Sequence, residues 1–152
     1  MVYIAVCDDD GKLREDIGNI VNKSCDRAGV LWKTEYFEGS VQLRDELQGG
    51  AYFDILLLDI EMPGMDGITF ALDIKAFLTN VMIIFVSFYD KYVFKCFSVQ
   101  PYYFVRKMEL ETELPKVMDA ALQTAGRREE KCFIVENQRV LEHKNGTNYV
   151  DR

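Results

Sequence analysis

The chain has 152 residues, 49% hydrophobic and 28% charged, a balance that excludes a disordered chain and suits one domain with a remainder. The net charge of −7 is uneven, because residues 1–125 carry 12 Lys/Arg against 20 Asp/Glu and residues 126–152 carry six against five. So acidic a body argues against direct nucleic-acid binding by residues 1–125, since phosphate contacts need a basic face.

No apolar stretch nears the ~20 residues of a membrane helix. No basic segment precedes the first apolar run, so no signal peptide is expected and the cytosol is the expected compartment. The four cysteines (Cys7, Cys25, Cys96, Cys132) form no CxxC pair and read as reduced, mostly buried residues. A single histidine, His143, argues against a His-based catalytic site or a zinc site.

Val2 to Cys7 is a short apolar run closed by acids and reads as a first strand. From Leu13, apolar residues recur at helical spacing through Ile17, Ile20, Val21, Cys25 and Ala28, with Gly29 as the stop. Val30 to Phe37 is rich in β-formers and reads as strand two. Ser40 can cap a short helix to Leu47, closed by Gly49-Gly50. Asp54 to Asp59 reads as strand three, and the turn Met62-Pro63-Gly64-Met65-Asp66-Gly67 follows. Gly67 to Leu78 reads as a helix, and Val81 to Val86 as an apolar strand ending at Ser87. Asp90 to Phe97 reads as a short helix with an aromatic face, and Tyr102 to Arg106 as a fifth strand ending at Lys107.

The last helix carries Leu114, Val117, Met118, Ala121, Leu122 and Ala125. Pro115 falls in its first turn, where amide hydrogens lack helical partners anyway. Strand and helix thus alternate five times, and three strands are apolar nearly throughout, the pattern of a doubly wound α/β sheet. Residues 126–131 read as a polar linker. Cys132 to Val135, Val140-Leu141 and the turn signal Asn145-Gly146 read as a hairpin or the truncated start of a β-rich domain. The expected domains are therefore 1–125 and 126–152.

Ligands of an open parallel sheet bind beyond the carboxyl ends of its strands. Asp8-Asp9, Asp59, Ser87 and Lys107 each close an apolar run, so all four stations fall on one sheet edge. Clustered carboxylates repel unless a cation sits among them. Oxygen-only ligation suits Mg²⁺, which also binds phosphate oxygens. Asp59 can then serve as nucleophile as well as ligand, with Lys107 and Ser87 on the phosphoryl oxygens and the following loop's amide hydrogens assisting.

With Asp8-Asp9, "DIEMPGMDG" around Asp59, Ser87 and Lys107, residues 1 to about 125 resemble the receiver domain of two-component response regulators. The resemblance implies a flavodoxin-like (βα)5 sheet of strand order 2-1-3-4-5. It implies Asp59 as phospho-acceptor for a sensor histidine kinase and Mg²⁺ held by Asp9, by Asp8 largely through water, by Asp59 and by the backbone carbonyl of Glu61. It also implies a switch through Ser87 and the strand-five aromatic Phe104. Such a domain is a signalling module rather than an enzyme. The stretch "FVSFYDKYVFKCFSVQPYYFVRK" is similar to regulators with a LytTR-type DNA-binding domain. That implies transcription regulation, DNA contact only through a C-terminal output domain, and homodimer formation on phosphorylation. The pattern departs at Met108, where most receivers carry proline, and a trans bond with a reshaped loop, or a strained one, is expected there.

Two other readings compete. "VCDDDGKL" imitates the opening of a haloacid-dehalogenase-type phosphatase, with Asp8 as nucleophile and Asp10 as general acid, but Lys12 stands where Thr or Val is usual and Asp59 is left unexplained. A pseudo-receiver would bind partners without phosphorylation. Asp10 is also explained as an acid at a helix N-terminus.

Overall fold

The structure is a computed structural model, and it describes residues 1–144. Two compact units are present, Met1–Leu122 and Gln123–Arg152. Within the first, β1 (Val2–Cys7), β2 (Trp32–Phe37), β3 (Ile55–Asp59), β4 (Met82–Ser87) and β5 (Tyr103–Arg106) alternate with α1 (Gly11–Ala28), α2 (Ser40–Gln48), α3 (Gly67–Ile74) and α4 (Val93–Cys96). The helix α5 follows as Leu110–Lys144. All strand pairs are parallel, in the order β2-β1-β3-β4-β5.

Both faces of the sheet are covered. Ala5, Cys7, Leu56, Leu58, Ile83 and Phe85 pack in one cluster with Leu43 and Leu47 of α2, Phe70 and Ile74 of α3, and Cys96 of α4. By the two-residue period of a strand, Ile4, Val6, Leu57, Ile84 and Val86 turn to the opposite face, where α1 buries Ile17 and Val21. Arg27 of α1 meets Asp119 of α5 at 3.0 Å. Every residue of β3 and β4 is buried, which explains why these strands read as unbroken apolar runs.

Local chemistry sets the boundaries. Asp10 caps α1, its Oδ1 accepting from the amides of Lys12 and Leu13, and Gly29 ends that helix at φ 70°. Asp66 caps α3 in the same way through Ile68 and Thr69.

Three expected elements differ. The segment 90–97 is a single α-turn, Val93–Cys96, between the 3-10 turns Asp90–Tyr92 and Phe97–Val99; its aromatic and β-branched residues support helix poorly. The helix α5 begins at Leu110, so Pro115 lies beyond its first turn. The carbonyl that Pro115 cannot partner belongs to Glu111, an exposed residue. Finally, α5 continues to Lys144 through residues 126–131, expected as a linker, and Cys132–Val135, expected as a strand. The Arg-Arg-Glu-Glu-Lys run has strong helix propensity, and only Gly126 opposes it, by about 1 kcal/mol. The Asn145-Gly146 turn falls outside the described residues. No described helix is long and apolar enough to cross a membrane.

Candidate functional site

The strand register assembles the site. Cys7 pairs with Leu58, so Asp8 follows beside Asp59; Asp59 pairs with Val86, just before Ser87; Ser87 pairs with Arg106, just before Lys107. A parallel ladder thus carries four separated sequence positions to one edge. Asp8 is 1% exposed, Asp59 6%, Ser87 1% and Lys107 9%. Asp9 stays exposed.

The Lys107 ammonium lies 3.0 Å from Asp8 Oδ2 and 3.3 Å from Asp59 Oδ1. Burial opposes its charge, but the hydrogen bond to Asp8 and the charges of both carboxylates outweigh that, and its pKa is raised. Asp59 is pushed up to about 6, first by burial, then by the Asp8 charge, with Lys107 pulling the other way.

The turn after Asp59 is built to stay close. Gly64 sits at φ 87°, a left-handed conformation suited to glycine. A Cβ on Gly67 would fall 2.2 Å from the backbone oxygen of Asp59. The Gly67 amide donates to Ile60 O at 2.8 Å. Hence "MPGMDG" supplies a left-handed turn, a close backbone approach and, at Asp66, a helix cap.

Asp8 Oδ1 accepts from the Asp10 amide at 2.9 Å. Asp8 Oδ2 is buried, and its partner is the Lys107 ammonium 3.0 Å away. Asp8, Asp9 and Asp59 each offer one oxygen, all within 4.8 Å of one another. Three carboxylates converging on one sheet edge with a single ammonium among them are a donor set that fits a hard divalent cation.

The other expected residues are near but differ in engagement. Ser87 Oγ accepts from the Tyr89 amide at 3.2 Å. Glu61 lines the same cavity of about 230 Å³ as Asp9, Asp10, Asp59, Ser87 and Lys107. Phe104 is half-buried and packs against the α2–α4 core face. The Lys107–Met108 bond is trans, no cis bond being present among the described residues, and Met108 points to solvent at 83% exposure without pulling Lys107 from the carboxylates. Asp10 spends Oδ1 on the α1 cap, against a general-acid role.

Three participants escaped the sequence reading. Arg14 Nη1 donates to the Asp8 carbonyl at 2.8 Å, a contact that its place one turn into α1 makes possible. Tyr92 donates its phenol proton to Glu61 Oε1 at 2.5 Å, and that bond, first among the causes, pushes the phenol up to about 12. The Phe88 ring lies 5.0 Å from Lys107 Nζ. The last two depend on loop paths that no periodicity encodes. The Cys7, Cys25 and Cys96 thiols are free and buried, with Cys7 pushed up to about 12, chiefly by burial and then by Asp8; the Cys132 side chain lies outside those described.

The family described as response regulator receiver domain matches residues 4–119. The N-terminal domain of a response regulator/sensory box/GGDEF 3-domain protein from Carboxydothermus hydrogenoformans superposes with TM-score 0.68 at 27% identity, over 83% of this chain and 98% of that one. The response regulatory domain of protein mrkE from Klebsiella pneumoniae gives 0.72 at 16% identity, over 83% and 99%, a likeness of fold alone. A protein-glutamate methylesterase/protein-glutamine glutaminase of Rhodopseudomonas palustris (strain BisB18) is 33% identical over 75 residues, which is 49% of this chain. The chain spans about a fifth of that relative's length, 19%.

Proposed function

This chain belongs to the response regulator receiver domain family, and from that premise we propose that Asp59 accepts a phosphoryl group from the phosphohistidine of a sensor histidine kinase. One observation carries the reading: a single buried ammonium, Lys107, bridges Asp8 and Asp59 while Asp8, Asp9 and Asp59 converge.

In the transfer, an Asp59 oxygen forms the new bond to phosphorus as the phosphorus–nitrogen bond breaks. The donor imidazole, protonated on its other ring nitrogen, keeps the electron pair and leaves neutral, so this site supplies no proton. The Lys107 ammonium faces the transferring oxygens, and the Ser87 hydroxyl supplies a hydrogen bond to another. Asp8, Asp9, Asp59 and the Glu61 carbonyl would hold Mg²⁺. When bound, that ion neutralises charge on the phosphoryl oxygens. A phosphoryl group adds about −1.5 to −2 charges, enough to bias Ser87 and Phe104 between two arrangements.

The output belongs to the same proposal. Domain 1–125 passes its state to a LytTR-type DNA-binding domain placed C-terminal to α5, with transcription regulation in the cytosol and a homodimer on phosphorylation. The tyrosine-rich stretch between Phe85 and Lys107 supports that reading.

The test is mass spectrometry after acetyl phosphate treatment of wild type and Asp59→Asn. One added phosphoryl group on the Asp59 peptide, absent from the variant, is expected. Label on Asp8 would favour the phosphatase reading. No label despite Mg²⁺ binding would favour the pseudo-receiver.

A further inference from the structure

Lys107 is held on three sides. Two are the carboxylates of Asp8 and Asp59, at 3.0 and 3.3 Å. The third is an aromatic face, the Phe88 ring with its centroid 5.0 Å from Nζ. Phe88 is the residue after Ser87, so it turns outward where Ser87 turns in. It is 51% exposed, while the Lys107 side chain beneath it is 4% exposed. With Leu13 and Tyr89 it puts apolar bodies around a cavity otherwise lined by acids, Ser87 and Lys107.

A ring face attracts an ammonium yet offers it no lone pair. It therefore blocks the route by which the ammonium could turn to water, without competing for the protons that Asp59 needs. We propose that Phe88 is a positioning residue of the phosphoryl site, holding Lys107 on its carboxylate side and keeping water from an Asp59-bound phosphoryl group. This rests on the reading of Asp59 as phospho-acceptor.

The affected step is hydrolysis. A water oxygen bonds to phosphorus while the bond from phosphorus to the Asp59 oxygen breaks. The Asp59 carboxylate leaves with the electron pair, one water proton stays on the released phosphate, and the other passes to solvent. Phe88 slows this by limiting water at the mouth and by keeping Lys107 on the phosphoryl oxygens.

The experiment labels wild type, Phe88→Tyr, Phe88→Leu and Phe88→Ala with acetyl phosphate, removes the donor and follows loss of label. In parallel, the Lys107 ε-methylene proton shifts are read by NMR. Leu and Ala variants should lose label about 2- to 5-fold faster, the span of an exposed cation–π contact. Tyr should behave as wild type. The ring-current displacement of the Lys107 ε-protons should persist with Tyr and vanish with Leu. Equal lifetimes in labelled wild type, Leu and Ala, or an unchanged ε-proton shift in Leu, would overturn the role of Phe88 alone. An unlabelled wild type would overturn it together with the reading of Asp59.

Discussion

The Lys107 ammonium lies 3.3 Å from Asp59 Oδ1, and the same nitrogen lies 3.0 Å from Asp8 Oδ2, with all three side chains nearly closed to solvent. One cation therefore compensates two carboxylates. Removing it leaves two buried like charges facing each other, the costly case for a broken buried pair. Lys107→Met should lose about 3–5 kcal/mol in urea denaturation at pH 7 without metal. Adding Asp59→Asn to it should restore part of the loss, with a coupling of about 0.5–3 kcal/mol. Additive effects of the two substitutions in that cycle would mean the contact carries no net energy.

Asp59 is itself a source of instability in the metal-free protein. Its carboxyl is raised from an ordinary value of 3.8 to about 6. A carboxyl raised on folding binds its proton more tightly in the native state, so that contribution is full below about pH 4 and is lost as pH rises through 6. Asp59→Asn should therefore stabilise the EDTA-treated protein at pH 8, by roughly 1–2 kcal/mol once solvent access at the mouth is allowed for. The gain should fade toward pH 4. A stability difference that is flat from pH 4 to 8 would refute the assigned burial.

Mg²⁺ reverses that balance, because it binds only where the three carboxylates are gathered. At 100 times its Kd it should stabilise the fold by about 2.7 kcal/mol, read as a rise in Tm. Asp9→Ala should abolish the rise, since exposed Asp9 is a member of the cluster and makes few demands on the core. An undiminished rise in the variant would place the ion elsewhere.

The strands and the four stations were legible because they rest on composition. Five expected strands ended within a residue or two of where the sheet ends them, and each of the four stations is a polar residue at such an end. Asp10 was legible as an acid at a helix N-terminus, while the cap role of Asp66 was hidden inside the turn signature that holds it. The broken α4 was not legible: Val93, Phe94 and Phe97 keep helical spacing while the backbone alternates between 3-10 and α turns, ending with Gln100 at φ 54°. The extension of α5 past Gly126 was hidden because a charged run suits a linker and a solvated helix equally. Contacts across loops, such as Phe88 with Lys107 and Tyr92 with Glu61, follow from tertiary placement alone.

Gly126 separates the linker and helix readings of its segment. A Cβ built there meets nothing within 4 Å, and the backbone at this point is α-helical within α5. Gly126→Ala should then raise helicity slightly, by up to about 1 kcal/mol of local stability, while Gly126→Pro should cost about 3 kcal/mol and lower the 222 nm ellipticity. A linker at 126–131 would leave the ellipticity of all three proteins alike.

The tightest backbone approach in the site makes the sharpest prediction. A methyl group at Gly67 would meet the Asp59 carbonyl oxygen at 2.2 Å and the Ile60 Cα at 3.0 Å, both main-chain atoms that cannot swing aside. Gly11, by contrast, would place its Cβ 3.6 Å from Arg14 Nη2, an ordinary contact with a flexible side chain. Gly67→Ala must therefore push the turn away from β3. It should cost about 1–3 kcal/mol in urea denaturation, the usual range for overpacking. Because the displaced atoms belong to Asp59 and its neighbour, the Mg²⁺-dependent rise in Tm should shrink as well. Gly11→Ala should leave both quantities near wild type. If Gly67→Ala lost stability but kept the full Mg²⁺ response, the turn would brace the sheet without positioning the Asp59 carboxylate.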